Sequence, residues 1–383
     1  MKDKLYLMIP GPTPVPPRVA AAMSKPIIGH RSGEFAALIG RVTEKLKKVF
    51  QTENDVFVLA SSGTGGLEAA VANVTNPGDK VLSLNTGKFG ERFGELARKY
   101  GADVDEVMFT WGTDVDLRVV EEKLKADPNI KAVLATHNET STAVVNDIKG
   151  LGKIVADHQA VLVVDAVSSM GGMDIKTDEW QVDIMVSGSQ KAMMLPPGLA
   201  FVSVSEKAWK VMEENTASNY YFDLKKARKS LAKNNTPYTS PVSLFYGLEE
   251  SLDMLLEEGL ENVFKRHRLL ARATRAAIKG LGLELLPAEE YSSDTVTAVQ
   301  SPMTVNVDNL RKTLLEKYRV MVAGGQGELK GKIFRIAHMG YASKADVILT
   351  IGALEMALNE CGYKAELGAG VREAQLVFLE ESE

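Results

Sequence analysis

Short, almost wholly apolar runs alternate along this chain with longer stretches whose apolar residues recur at helical spacing. The runs lie at Val56–Ala60, Val81–Leu84, Ala132–Ala135, Val161–Val164, Ile184–Val186 and Ala200–Val204. Continuous apolarity, rather than alternation, is the pattern of strands buried on both faces, and the helical stretches between several of them can serve as crossovers for parallel strands. This predicts an α/β unit with a mostly parallel sheet covered by helices. From Pro241 the pattern changes to one long predicted helix through Leu244, Leu248, Leu252 and Leu255 and on towards Leu281, its later part carrying Lys265, Arg266, Arg268, Arg272 and Arg275. A strand at Thr295–Val299, a helix around Leu310–Tyr318, a strand at Ile333–Ala337 and a last helix at Ala345–Cys361 then read as a smaller α+β domain. The proline-rich segment Ile9–Pro17 cannot be helix interior and is predicted to lie extended over the body. The resulting division is an arm over residues 1–17, a large domain over 18–255, a small C-terminal domain over 256–365 and a tail over 366–383 without an assigned role.

Composition narrows the function classes. The chain has 383 residues, 45% hydrophobic and 25% charged, enough to bury the cores of two domains. Its 45 Lys+Arg against 50 Asp+Glu leave a net charge of −5, with no basic excess to attract nucleic acid or an anionic membrane. No apolar run reaches the roughly 18 residues of a membrane span. A cytoplasmic location is expected, with no nucleic acid or membrane partner. The single Cys361 and five scattered histidines suggest no disulfide and no metal site. The run Lys225-Lys226-Ala227-Arg228-Lys229 reads as a solvated helix face.

The chemistry concentrates at strand ends. Asp165 closes one apolar run, and another opens into Ser187-Gly188-Ser189-Gln190-Lys191, so an acid and a lysine fall at the sheet edge where open α/β folds bind ligands. Either alone is ordinary, since strand-end lysines are usually solvated and strand-end aspartates often cap helices. Together they suit pyridoxal phosphate: an amine for a Schiff base with its aldehyde, and a carboxylate to hold its ring proton. Ser62-Gly63-Thr64-Gly65-Gly66, opening a helix after a strand, offers the N–H groups and hydroxyls a phosphate requires.

Val164-Asp165-Ala166-Val167-Ser168-Ser169 followed by Ser187-Gly188-Ser189-Gln190-Lys191 resembles the class V aminotransferases of fold type I, in particular their alanine:glyoxylate and serine:pyruvate branch. The resemblance runs from Pro10 to about Cys361. It implies that Lys191 and Asp165 are catalytic, and that Gly63, Thr64 and Gln190 hold the cofactor phosphate. Phe89, in Gly87-Lys88-Phe89-Gly90-Glu91-Arg92, stands where close animal relatives have tryptophan and would stack on the ring, although a core phenylalanine would look the same. Thr140, in His137-Asn138-Glu139-Thr140-Ser141-Thr142, would bond the ring's phenolic oxygen, or its hydroxyl could cap a helix.

Arg335 would clamp the substrate α-carboxylate, since a guanidinium offers a planar pair of donors, with Gly11 of the arm approaching from the opposite side. Thr236 and Thr239 match a stretch that in the family reaches across a homodimer to the partner's phosphate, and a surface turn is the plain alternative. The activity implied is transamination of a small amino acid, alanine or serine, with a small 2-oxo acid, glyoxylate or pyruvate, by ping-pong kinetics. A lyase or desulfurase of the same fold is one alternative. A metal-free subunit of a redox complex is another, because similar proteins include small subunits of soluble hydrogenases. With no second basic residue in a recognised motif, aspartate, glutamate and phosphoserine are expected to be poor donors.

Overall fold

The structure is a computed structural model and describes residues 4–217 and 219–381. Its strands are β1 (Tyr6–Met8), β2 (Asp55–Ala60), β3 (Lys80–Asn85), β4 (Asp103–Met108), β5 (Ile130–Thr136), the short pair β6 (Asn138–Glu139) and β7 (Val144–Val145), β8 (Val161–Asp165), β9 (Ile184–Gly188), β10 (Leu199–Val204), β11 (Val296–Gln300), β12 (Val320–Gly324) and β13 (Ile333–Ala337). The helices are α1 (Pro17–Met23), α2 (Gly33–Phe50), α3 (Gly63–Val74), α4 (Lys88–Lys99), α5 (Leu117–Ala126), α6 (Ile148–Ala156), α7 (Glu206–Glu214), α8 (Leu224–Leu231), α9 (Val242–Glu258), α10 (Leu260–Gly280), α11 (Val307–Tyr318), α12 (Lys344–Glu360) and α13 (Ala369–Glu380).

The larger sheet runs β2-β10-β9-β8-β5-β3-β4 in space. Its pairs from β9 to β4 are parallel, and β10 is antiparallel to both neighbours. Alternate residues of β8 enter different cores: Leu162 and Val164 join the cluster containing Phe35, Phe201 and Phe245, while Val161 and Val163 join that of Leu67, Phe93 and Trp209. Burial on both faces is the physical reason that these strands are apolar throughout. Edge strand β4, Asp-Val-Asp-Glu-Val-Met, has no buried residue and gave no apolar run to read. Register sets Thr136, Asp165 and Val186 side by side, so the loops after these strands emerge at one edge.

A second sheet, β1-β12-β13-β11, carries α10 to α13. Its first strand comes from the arm: Tyr6 and Met8 pair in parallel with Val320 and Val322. The predicted long helix is two helices. Gly259, at φ 81°, ends α9 and starts α10, a backbone turn that glycine adopts without a Cβ penalty. The arm is extended only as far as Pro16, because Pro17 opens α1, where a fixed φ and a missing N–H cost nothing. In the tail, α13 buries Ala374 and Phe378 in the core of the smaller sheet. Among the described residues no helix is long and apolar enough to cross a membrane.

The helix that opens the site, α3, lies close on β9 and β10 because position 66 has no side chain: a Cβ there would sit 2.8 Å from Val186 Cγ1 and 3.0 Å from Ala200 Cβ. Helix propensity alone would make Gly66→Ala stabilising by about 1 kcal/mol, whereas overpacking a core costs about 1–3 kcal/mol. The expected outcome is a lower thermal midpoint, and a raised one would show that α3 has room to move.

Candidate active site

Backbone, rather than a mutual ion pair, holds the acid and the lysine. Asp165, 4% exposed at the end of β8, accepts a hydrogen bond from the Val167 N–H at 2.9 Å. Lys191, just past β9, donates from Nζ to the Pro10 carbonyl. Both line one cavity at the strand ends. Burial pushes the Asp165 carboxyl up to about 6, against the Val167 bond and the Lys191 charge. Burial also brings the Lys191 ammonium down to about 8, against the attraction of Asp165.

The arm closes over this lysine. Thr13 donates from its hydroxyl to the Lys191 carbonyl (2.8 Å) and from its N–H to Gln190 O (3.2 Å). Gly11, at φ 140°, passes so close that a Cβ would lie 2.9 Å from Lys191 Cδ and Cε. Glycine is therefore required there by conformation and by space.

The rest of the wall comes from the loops after β2, β3 and β5. Ser62, Gly63 and Thr64 line the cavity at the start of α3, and the N-cap Ser62 makes no side-chain capping bond, so the Gly63 and Thr64 N–H groups keep their donor capacity while the Gly65 N–H turns back to Ser62 O (2.9 Å). A Cβ on Gly63 would come within 2.7 Å of Val167 Cγ2, another lining residue. Gln190 also lines the cavity, its Oε1 buried without a hydrogen-bond partner. Thr140 donates to the Ser168 hydroxyl (2.7 Å), which donates to Asn138 O (3.0 Å). Asn138 Nδ2 donates to Ser168 and Thr295, and its Oδ1 is buried without a partner. Phe89 sits at the start of α4 with the Arg92 guanidinium over its ring at 4.9 Å.

What holds Phe89 there is Glu139, a residue to which sequence reasoning gave no role. Fully buried, its carboxylate accepts from the N–H groups of Phe89 (3.0 Å), Gly90 (3.0 Å) and Ser141 (2.9 Å) and from the Ser141 hydroxyl (2.6 Å). Ser141 in turn accepts from Lys88 N–H at 2.9 Å. An acid at the positive end of α4 thus ties two loops together. Burial raises its pKa, and these donors oppose the rise.

Arg335 on β13 is 4% exposed and lines an adjoining cavity shared with Lys191, Phe89, Thr140 and Gly11. Its Nε (3.0 Å) and Nη2 (2.7 Å) donate to Gly324 O, and Nη1 donates to Thr140 O (2.7 Å). Of five N–H donors, one on each Nη is left, which is the fork geometry that receives a carboxylate. The expectation of a single cation is corrected here. Arg311 of α11 lines the same cavity, and no sequence motif marked it. Two further predicted residues lie elsewhere: Thr236 and Thr239 border a separate surface depression beside β2, with the Thr236 hydroxyl bonded to Tyr238 O (2.9 Å) and Ser240 Oγ (2.6 Å). Cys361, at the end of α12, has its Sγ against Asn309 (3.5 Å) and is not among the lining residues.

A family model for class V aminotransferases matches residues 5–351. The chain belongs to that family. It is a pyridoxal-phosphate-dependent aminotransferase of the α/β fold. It is 45% identical over 383 residues to the soluble hydrogenase small subunit of a Synechococcus species, with 99% of each chain covered. It is 42% identical to the L-aspartate–glyoxylate aminotransferase of Paracoccus denitrificans, covering 98% of this chain and 96% of that protein. Among solved structures it resembles the ureidoglycine–glyoxylate aminotransferase of Bacillus subtilis at a TM-score of 0.94 and 32% identity, with 99% of each chain covered.

The site of this aminotransferase fits the cofactor. An acid and an amine are held apart across a cavity, a glycine-opened helix start borders it, and the inward Gln190 and Asn138 oxygens lack protein partners. The Lys191 pKa sets a measurable pH dependence, because only the neutral amine attacks an aldehyde. Capture of pyridoxal phosphate by the cofactor-free protein should speed up with pH and level off with a midpoint at about 8. A midpoint near the ordinary lysine value of 10.5 in stopped-flow absorbance would contradict the burial argument.

Proposed function

We propose that the enzyme transfers the amino group of a small donor, alanine or serine, to a small 2-oxo acid, with glyoxylate preferred. One observation carries this reading. Arg335 is a buried guanidinium with no carboxylate partner among the described residues, and it faces the cavity that Lys191 enters. An unpaired buried cation is costly and is retained where an anion binds. The α-carboxylate of an amino acid seated on its free fork would be held close to Lys191. The Paracoccus and Bacillus relatives are both glyoxylate aminotransferases, which supports the acceptor.

When bound, pyridoxal phosphate supplies an electron-accepting ring that stabilises the charge left when the donor's Cα–H bond breaks. Lys191 is the amine to anchor its aldehyde and, once displaced by the donor, the base that takes the Cα proton and returns it, a task suited to a pKa of about 8. Asp165 holds the proton on the ring nitrogen. Ser62, Gly63, Thr64 and Gln190 would receive the phosphate, Phe89 and Val167 would flank the ring, and Thr140 would meet its phenolic oxygen. The two half-reactions imply ping-pong kinetics.

Thr236 and Thr239 lie outside the site of their own chain, which supports a homodimer in which this loop completes the partner's phosphate site. Cytoplasmic location belongs to the same reading. The redox alternative draws only on the names of relatives such as the Synechococcus and Anabaena hydrogenase subunits. The desulfurase alternative lacks a cysteine on the cavity wall.

Two experiments test the assignment. Lys191→Ala should abolish the covalent link to the cofactor that borohydride fixes in the wild type, and a link through another lysine would refute the role of Lys191. Arg335→Lys should slow alanine and serine turnover with glyoxylate roughly ten- to a hundredfold, the worth of a lost charge-assisted bond, while slowing a simple amine far less. Equal losses would make Arg335 a structural residue.

A further inference from the structure

Gly324, at the end of β12, is flanked by two guanidinium groups. Its carbonyl accepts Nε and Nη2 of Arg335, and a Cβ built on it would lie 2.9 Å from Nη1 of Arg311. Having no side chain at 324 leaves Arg311 open to the cavity that both arginines line. Arg311 reaches this place from α11 with Nε on Val322 O at 3.2 Å. Among the described residues its one carboxylate partner is Asp308, 3.2 Å from Nη1 and 76% exposed, while Arg311 itself is 38% exposed. Such a solvated pair is worth little and competes weakly for the guanidinium. Nη2 makes no hydrogen bond among the described residues. Gln326 lines the same cavity, and its Oε1 is buried without a hydrogen-bond partner. A side-chain amide presents either an acceptor or a donor there by turning over.

We propose that Arg311 is a specificity-determining residue that, with Gln326, receives the side-chain carboxylate of an acidic donor, aspartate being the shortest. This rests on the reading of Arg335 as the α-carboxylate clamp. The site then has one cation for each carboxylate of the donor, and the desolvation cost that would exclude aspartate is offset. Aspartate gives up its amino group and α-hydrogen and takes a keto oxygen from water to become oxaloacetate, and glyoxylate takes up the amino group and a hydrogen, releases its aldehyde oxygen as water and becomes glycine. Alanine, with nothing to offer Arg311, uses the inner clamp alone.

The test uses the enzyme loaded with pyridoxal phosphate, and initial rates with aspartate and with alanine, each against glyoxylate. The wild type should turn over both. In Arg311→Leu the ratio of kcat/KM for aspartate to that for alanine should fall roughly ten- to a hundredfold, mainly through the KM for aspartate, with part of it restored in Arg311→Lys. Inhibition against alanine supplies a second readout: succinate should bind more tightly than propionate in the wild type and lose that advantage in Arg311→Leu. A wild type that uses alanine but not aspartate would overturn the role of Arg311 and leave the transamination reading standing. An unchanged ratio in Arg311→Leu would do the same. No turnover of either donor would overturn both.

Discussion

The arrangement of the site depends on Asp165 and Lys191 sharing one cavity without pairing to each other. Opposite charges in a poorly solvated space attract strongly, and side chains free to move would close into an ion pair. Here each is committed to backbone: Asp165 to the Val167 N–H, and Lys191 to the Pro10 carbonyl. Both line one cavity, with no ion pair closed across it. Parallel strands β8 and β9 supply the spacing, because their register is fixed by side chains packed on both faces of the sheet.

Holding this arrangement requires elements far apart in the chain. The arm passes over Lys191 at glycine distance, and its first residues are bound into the smaller sheet as β1. That sheet also carries Arg335, whose guanidinium bonds Thr140 O of the larger unit. The arm, Arg335 and the loop after β5 therefore tie the two sheets together where the substrate must enter. Glu139 plays a comparable part within the larger unit, gathering N–H groups from α4 and from its own loop around one buried carboxylate. A change in any of these ties would be felt as a misplaced ring or carboxylate before it was felt as lost stability.

The sequence showed most clearly what is fully buried. All six apolar runs became strands of the larger sheet, because burial of most of their residues leaves few polar positions, Ser83 and Ser203, to obscure them. Elements with one solvated face escaped. Strand β4 alternates charge with valine at the sheet edge, β1 hides before a proline-rich arm, and α13 buries only a few small or aromatic residues. The break at Gly259 was missed because leucine spacing continues across it while the backbone does not.

The chemistry divides in the same way. By itself the sequence determined the residues whose neighbours along the chain define them: Asp165 and Lys191 at strand ends, the glycine turn at Gly63, and the motif around Arg335. These are local, since a strand and the loop after it are contiguous. Only the tertiary structure decided the distances between them, the closure of the arm over Lys191, the separation of Thr236 and Thr239 from their own chain's cavity, and the arrival of Arg311 beside Arg335. Arg311 lies on α11, to which no sequence motif gave a role. It becomes part of the site because the neighbouring strand β12 brings Gly324, with no side chain to intervene, between two cations that are distant in sequence.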